Sequence, residues 1–471
     1  MLLGTTTIRE VDSRTRHTRI PRYVIGPKPK RRTELGLLVF GAILIAGLYV
    51  IAELGQHSRI PPHIGYFLGL LLGLSLVAHM ANRWLIPNAN AVILPLAVLL
   101  NGIGYVVIAR LGPGQAKGQA SWAVLGVILY VLTLLFVRYS RDLERYRYLL
   151  LLVGGILLVA PLFFTPILGA RLWIHYGSLS FQPIEFSKIL FCIYFASYFA
   201  ANKEILSIPT ARVGNRLVLD PRPLVPIVVA WGVAMAVIGL EDDIGFAALL
   251  FTLFIGLLWV STGRVGYLVL GFILFAAGAI FAAHYFGQVH VRVEDWLGTW
   301  QPSASNPTPG GYQLGVGAYG MGSGGIGGTG LGLDPFVKFI PEASSDMIFA
   351  AIGTEMGMIG CVAVVFAFVL LVGAGMRIAQ TARSDFSRLM STGLTLIIGF
   401  QAFFIMAGVV RLLPFTGITL PFVAYGGSSL LANYALIALL MRMSDEGAQS
   451  IAEQIASGVV QPGERPMVPA R

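Results

Sequence analysis

The sequence predicts an all-α polytopic membrane protein, because 56% of its 471 residues are hydrophobic, only 12% are charged, and the apolar residues run in long blocks rather than amphipathic stripes. A hydrocarbon core about 30 Å thick takes about twenty helical residues to cross. Blocks of that length lie near 35–55, 65–84, 89–110, 121–138, 148–168 and 184–201. Six more lie near 223–240, 244–262, 265–286, 346–375, 390–411 and 423–442, which makes about twelve spans in all. The block 184–201 is polar at both ends, and the stretch around 240–245 reads either as a turn between two spans or as one re-entrant feature.

Charge orients the bundle. With the N-terminus in the cytoplasm, most Lys and Arg residues fall on that side, in the tail to Arg32 and in 138–147, 202–222 and 376–389. The formal net charge of +10 therefore reports positive-inside bias and attraction to anionic lipid. Nucleic-acid binding, which would need a folded basic domain, is excluded as the economical reading. Residues 1–34 lack the compact apolar core of a cleaved signal and read as a basic cytoplasmic tail, and 444–471 read as a cytoplasmic C-terminal tail. Between them the apolar blocks run over 35–84 and 85–443. Cys192 and Cys361 fall inside predicted helices, so neither a disulfide framework nor a thiolate metal site is supported.

The segment 287–345 lies outside the cytoplasmic membrane in this topology and is far longer than a usual inter-helix connection. It contains "NPTPGGYQLGVGAYGMGSGGIGGTG", and Trp296, Trp300, Tyr312, Tyr319, Phe336 and Phe339 are interspersed along the segment, an aromatic load that a slack tether would lack. Two readings stand. Glycines let successive backbone N–H groups converge on an anion such as a pyrophosphate, or they merely permit tight turns under an interfacial aromatic belt.

Four stretches narrow the choice: "GARLWIHYGSLSFQPIEFSK" at 169–188, "NPTPGGYQ" with "GSGGIGGTGLG" in the loop, "IPEASSDMIFAAIGTEMGMIG" at 340–360, and "LLPFTGITLPFVAYGGSSL" at 412–430. Together and in this order they resemble the shape, elongation, division and sporulation family of membrane proteins. The resemblance implies a ten-helix core, here carrying two extra N-terminal helices as in actinobacterial RodA-like members. It implies a peptidoglycan glycosyltransferase of the bacterial cytoplasmic membrane that polymerises lipid II, an undecaprenyl- or decaprenyl-linked disaccharide pentapeptide, beside a class B penicillin-binding protein. A catalytically silent scaffold of that transpeptidase and a lipid II flippase are the rival readings. The chain shows no internal repeat and gathers its polar groups at one face, which favours surface chemistry over alternating access.

Such a reaction needs a base for the attacking hydroxyl, a hold on the departing pyrophosphate and a path for lipid. The family's loop Asp before Pro is matched here by Asn306, and a carboxamide cannot accept the proton. Asp295 and Asp334 are the substitutes within the loop; each also reads as a solvated charge. Glu342 and Asp346 stand next to the loop, and Asp346 also reads as a first-turn residue of a helix capped by Ser344 or Ser345. For substrate binding the resemblance and position point to Glu185 and Lys188, three apart on one helix face, to Tyr312 and Gln313 in the "GYQ" motif, to Trp122 and to Arg411. Trp122 otherwise reads as an interfacial anchor, and Arg411 as the partner that Glu355, buried in a span, requires. Glu241, Asp242 and Asp243 read as a solvated turn or as a site for a divalent cation, Mg or Mn. Pro414, Gly417 and Pro421 break any helix there, and broken backbone near a membrane implies a cavity rim.

Overall fold

The structure is a computed structural model that describes residues 31–58, 64–165, 172–176, 179–207, 211–213, 216–218, 225–241, 243–299 and 309–456. In chain order its helices are α1 (Arg31–His57), α2 (Ile64–Leu85), α3 (Ile93–Leu111), α4 (Pro113–Phe136), α5 (Ser140–Arg145), α6 (Arg147–Val159), α7 (Ile184–Ser207) and α8 (Val225–Leu240). They continue as α9 (Ile244–Thr262), α10 (Val265–Tyr285), α11 (Gly287–Gly298), α12 (Pro309–Gly324), α13 (Ile348–Gln380), α14 (Asp385–Val409) and α15 (Gly427–Ala456). Each predicted span overlies one of these helices. Among the described residues, eight helices are long and apolar enough to cross a membrane by length and composition. α3 and α7 are the most enclosed and α10 the most exposed.

Local chemistry sets the boundaries. Gly112 ends α3 in extended backbone, and Pro113, whose missing N–H costs nothing in a first turn, opens α4. The Asp243 carboxylate accepts from Phe246 N–H at 3.1 Å to cap α9, and Gly263 closes it in left-handed backbone. The Ser384 hydroxyl accepts from Ser387 N–H at 3.1 Å to cap α14.

Several boundaries differ from expectation. α1 begins at Arg31, inside the predicted tail, because Glu34 is buried against α2; residues 1–30 lie outside the described residues. α15 continues to Ala456, since Asp445 accepts from Asn88 N–H and Glu446 accepts from the Ser140 N–H and hydroxyl. Two small antiparallel hairpins, β1 (Ile174–Tyr176) with β2 (Leu179–Phe181) and β3 (Ala211–Val213) with β4 (Arg216–Val218), join helices where none was foreseen. The largest difference is the long segment 287–345, most of whose described part is helical: α11, α12 and a 3-10 turn at Pro335–Phe339.

Glycine makes α12 possible. Side chains at Gly317, Gly320 and Gly324, which share one face, would overlap Met347, Thr354 and the Gly353 carbonyl, so α12 lies almost backbone to backbone on the start of α13. Residues beyond it enter a kink in α13 at Gly357 (φ 64°). There Thr329 N–H donates to Thr354 O at 3.0 Å, Gly330 N–H to Glu355 O at 3.1 Å, and Met358 N–H to Gly325 O at 2.9 Å, so the kink leaves these groups paired. The N–H groups of Gly328, Thr329, Gly330 and Gly332 thus serve the fold, and of the two readings this stretch follows the one of tight turns.

The bundle therefore has a loop end, bearing α11, α12 and the segments 325–347 and 410–426, and an opposite basic end. At the basic end Arg442 donates to the Leu85, Leu134 and Val137 carbonyls, and Lys203 pairs with Asp385 at 3.3 Å.

Candidate active site at the loop end

The site is built where α7, α9, α11, α13 and the non-helical segment 410–426 meet. Glu185 and Lys188 sit one turn apart on α7, both buried, and Lys188 donates to Glu185. Its ammonium also donates to Gln401 Oε1 on α14 at 2.6 Å and lies 5.4 Å from the centre of the Phe246 ring. Gln401 Nε2 in turn donates to the Thr419 carbonyl at 2.9 Å, and the Thr419 hydroxyl meets Ser429 at 2.8 Å. The ladder thereby pairs the Thr419 carbonyl within the broken segment that holds Pro414, Gly417 and Pro421. Lys188 is thus a buried strut between α7 and α14, with two of its donors on Glu185 and Gln401.

Above the ladder lies a charged cluster. Arg292, on α11, donates to the Thr416 carbonyl at 2.6 Å. A side chain built on Gly417 would stand 3.7 Å from the Arg292 guanidinium and 3.8 Å from the Asp346 carboxylate, so both groups flank that glycine. One turn along α11, the Trp296 indole donates to the Arg411 carbonyl at 2.9 Å and Arg411 donates back to the Trp296 carbonyl at 2.8 Å, riveting α11 to the end of α14. The ion partner of Glu355 is Arg110 of α3, at 2.9 Å, both side chains buried.

Asp346 occupies the turn before α13. The helix begins at Ile348 after an N-cap of Met347 with no side-chain cap bond, so neither serine caps it and Asp346 lies ahead of the first turn. Its residue is only partly exposed and its carboxyl is densely surrounded by protein. Burial pushes that carboxyl up to about 7, helped by the Glu342 and Asp243 carboxylates and opposed by Arg292. Glu342 is exposed, accepts from the Ser345 hydroxyl at 2.8 Å and holds left-handed backbone (φ 51°), as does Arg411 (φ 62°). Such non-glycine backbone costs about 1 kcal/mol or more each and is typical of functional sites. Asp243, capping α9, is pushed up to about 6 by burial, opposed by the Phe246 N–H it accepts from and by Arg292, with Glu185 adding to the shift.

The remaining expectations divide. Asp334 accepts from Phe336 N–H at 2.8 Å to cap the 3-10 turn, and its carbonyl accepts from Arg110; it belongs to that support and not to the cluster. Asp295 is buried in α11. Trp122 lies in α4, half-buried, its ring so close to Gly427 that no side chain fits there. Tyr312 is exposed and Gln313 half-buried at the start of α12. Asn306 and Asp242 lie outside the described residues. Among the described residues no three His, Cys, Asp or Glu side chains gather as metal ligands. Arg292, Arg110 and Gln401 were missed. Lone polar residues in apolar helices, such as Arg110 and Gln401, are a usable signal, whereas nothing in the sequence sets Arg292 apart from its charged neighbours.

A model of cell cycle proteins named for FtsW, RodA and SpoVE matches residues 92–449. The chain belongs to the FtsW/RodA/SpoVE family. Peptidoglycan glycosyltransferase RodA of Mycobacterium tuberculosis is 35% identical over 445 residues, covering 91% of this chain and 94% of the relative. The probable peptidoglycan glycosyltransferase FtsW of Geobacter metallireducens is 28% identical over 382 residues, covering 76% and 95%. In fold, the chain is similar to one from a peptidoglycan synthase complex that coordinates polymerization and crosslinking (TM-score 0.61, 22% identity, 76% and 98% covered). It is also similar to rod shape determining protein RodA of Thermus thermophilus (TM-score 0.55, 23% identity, 77% and 98% covered). The family match begins one residue before α3, so α1 and α2 lie outside the matched stretch.

Proposed function

We propose that this chain polymerises peptidoglycan glycan strands from lipid II at the outer face of the bacterial cytoplasmic membrane, with its loop end outside, its N-terminus inside and a class B penicillin-binding protein as partner. The carrying observation is the convergence of Asp346, Glu342, Asp243 and Arg292 over the Glu185–Lys188–Gln401 ladder. Asp346 is the base. Its carboxylate takes the proton of the attacking sugar hydroxyl, the hydroxyl oxygen bonds to the anomeric carbon of the second lipid-linked sugar, and the bond from that carbon to the polyprenyl pyrophosphate breaks. A carboxyl held at about 7 by burial is matched to this proton transfer near neutral pH. Arg292, partly exposed, offers the guanidinium that charge-assists departure of the pyrophosphate.

A lipid path supports this reading. A groove of about 860 Å³ runs along α6 between α7 and α8, walled by Tyr148, Leu152, Ile156, Phe163, Phe191 and Val233. Leu158 and Phe191 are shared with the small apolar cavity under Lys188, so a polyprenyl chain in the groove would bring its pyrophosphate towards the ladder. Asn306 in place of the family's Asp favours a second reading, a non-polymerising scaffold of the transpeptidase. The test is reconstitution of the purified chain with lipid II and its transpeptidase. Glycan strands that persist in Asp295→Ala and Asp334→Ala support Asp346 as base; no strands from the intact chain would leave the scaffold.

A further inference from the structure

α1, which lies outside the family match, is fastened at one end and presses on the loop at the other. At the basic end Arg31 donates to Glu34 and to the Ile86 and Pro87 carbonyls. Glu34 accepts from Asn82 at 3.1 Å and lies 2.8 Å from His79 Nδ1, while the Tyr130 hydroxyl donates to Asn82 at 2.6 Å. Glu34, His79, Asn82 and Tyr130 are all buried, so the first turn of α1 is held by α2 and α4. A helix of 27 residues spans about 40 Å, which makes its far end a fixed abutment.

That far end meets the loop backbone to backbone. A side chain on Gly55 would overlap the Leu331 carbonyl, and one on Gly332 (φ 79°) would overlap the Ala52 carbonyl. Leu331 plugs a small core of Ile45, Ala52, Phe67 and Val106 that is separate from the main one. On the opposite side Gly332 N–H donates to Glu355, which Arg110 holds, and Arg110 also donates to the Asp334 carbonyl. The clamped residues lead through the 3-10 turn, with Val337 and Ile340 buried, into Glu342 and Asp346.

We propose that α1 is a positioning helix: through Gly55 and the Leu331 socket it fixes the segment 330–340 and so sets where Asp346 stands relative to Arg292. The catalytic part of this rests on the function proposed above; the clamp itself does not.

The test compares full-length chains carrying Gly55→Ala, Leu331→Ala or Gly47→Val, the last placing bulk on α1 where nothing lies within 4 Å. Amide hydrogen exchange of 325–340 reads the clamp, and lipid II polymerisation reads its consequence. The expected result is faster exchange there in Gly55→Ala and in Leu331→Ala, with α14 and α15 unchanged. It includes a kcat lowered about tenfold or more at a KM within about twofold of the parent, and no change in Gly47→Val. Because Leu331→Ala adds no bulk, it carries the test if Gly55→Ala fails to fold. Parental exchange in both variants, or faster exchange at parental kcat, overturns the proposal. A parent chain that makes no strands refutes the function instead, and exchange alone then decides the clamp.

Discussion

Asp346 should give the polymerisation rate an acid limb in an otherwise ordinary pH range. Its carboxyl is pushed up to about 7, so the fraction ionised is about one tenth at pH 6 and about nine tenths at pH 8. A base works only when ionised, so kcat should rise about tenfold between those values and level off above them. The neighbours provide an internal check with known sign. Glu342 raises the Asp346 pKa, so Glu342→Gln should move the limb to lower pH; Arg292 lowers it, so Arg292→Gln should move the limb to higher pH. The assay is strand formation from labelled lipid II by the purified chain in detergent, at saturating substrate across pH 5.5 to about 8.5, chosen to bracket that range. A profile flat over this range, or one that both substitutions shift in the same direction, would refute the assignment.

Other consequences follow from the packing. Arg110→Ala leaves Glu355 buried without its cation and should destabilise the chain by about 3–5 kcal/mol, whereas Arg110→Met with Glu355→Leu should recover most of it; thermal unfolding in detergent reads both. Gly357→Ala puts a side chain onto the Gly328 backbone in left-handed geometry and should lower the midpoint of unfolding as well as activity. Gly155→Phe fills open space in the groove along α6 and should raise KM for lipid II several-fold while sparing a short-chain analogue, as steady-state kinetics would reveal.

The helices under the predicted spans were legible from composition, eight of those described being long and apolar enough to cross a membrane, and the break at Pro414–Pro421 because proline and glycine leave the backbone no other option. α12 was hidden by its own glycines. Their low helix propensity argues for loop, and only the close approach to α13 through Gly317, Gly320 and Gly324 makes a helix of them. Within the site, Asp346 stood out as a carboxylate beside a span, and Glu185 with Lys188 as charges three apart on a buried helix. Their partners did not stand out. Gln401 lies 213 positions from Lys188 and Arg110 lies 245 from Glu355, and nothing in one sequence carries the distance that chose Arg110 over Arg411.

The central claim is that sugar transfer occurs at the loop end with Asp346 as its base, and glycan-strand synthesis by Asp346→Asn at pH 8 tests it most directly. The amide is nearly isosteric but cannot take a proton, so the account predicts a loss of about a hundredfold or more in kcat with lipid II still bound. Strands formed at a rate within about twofold of the parent would contradict it.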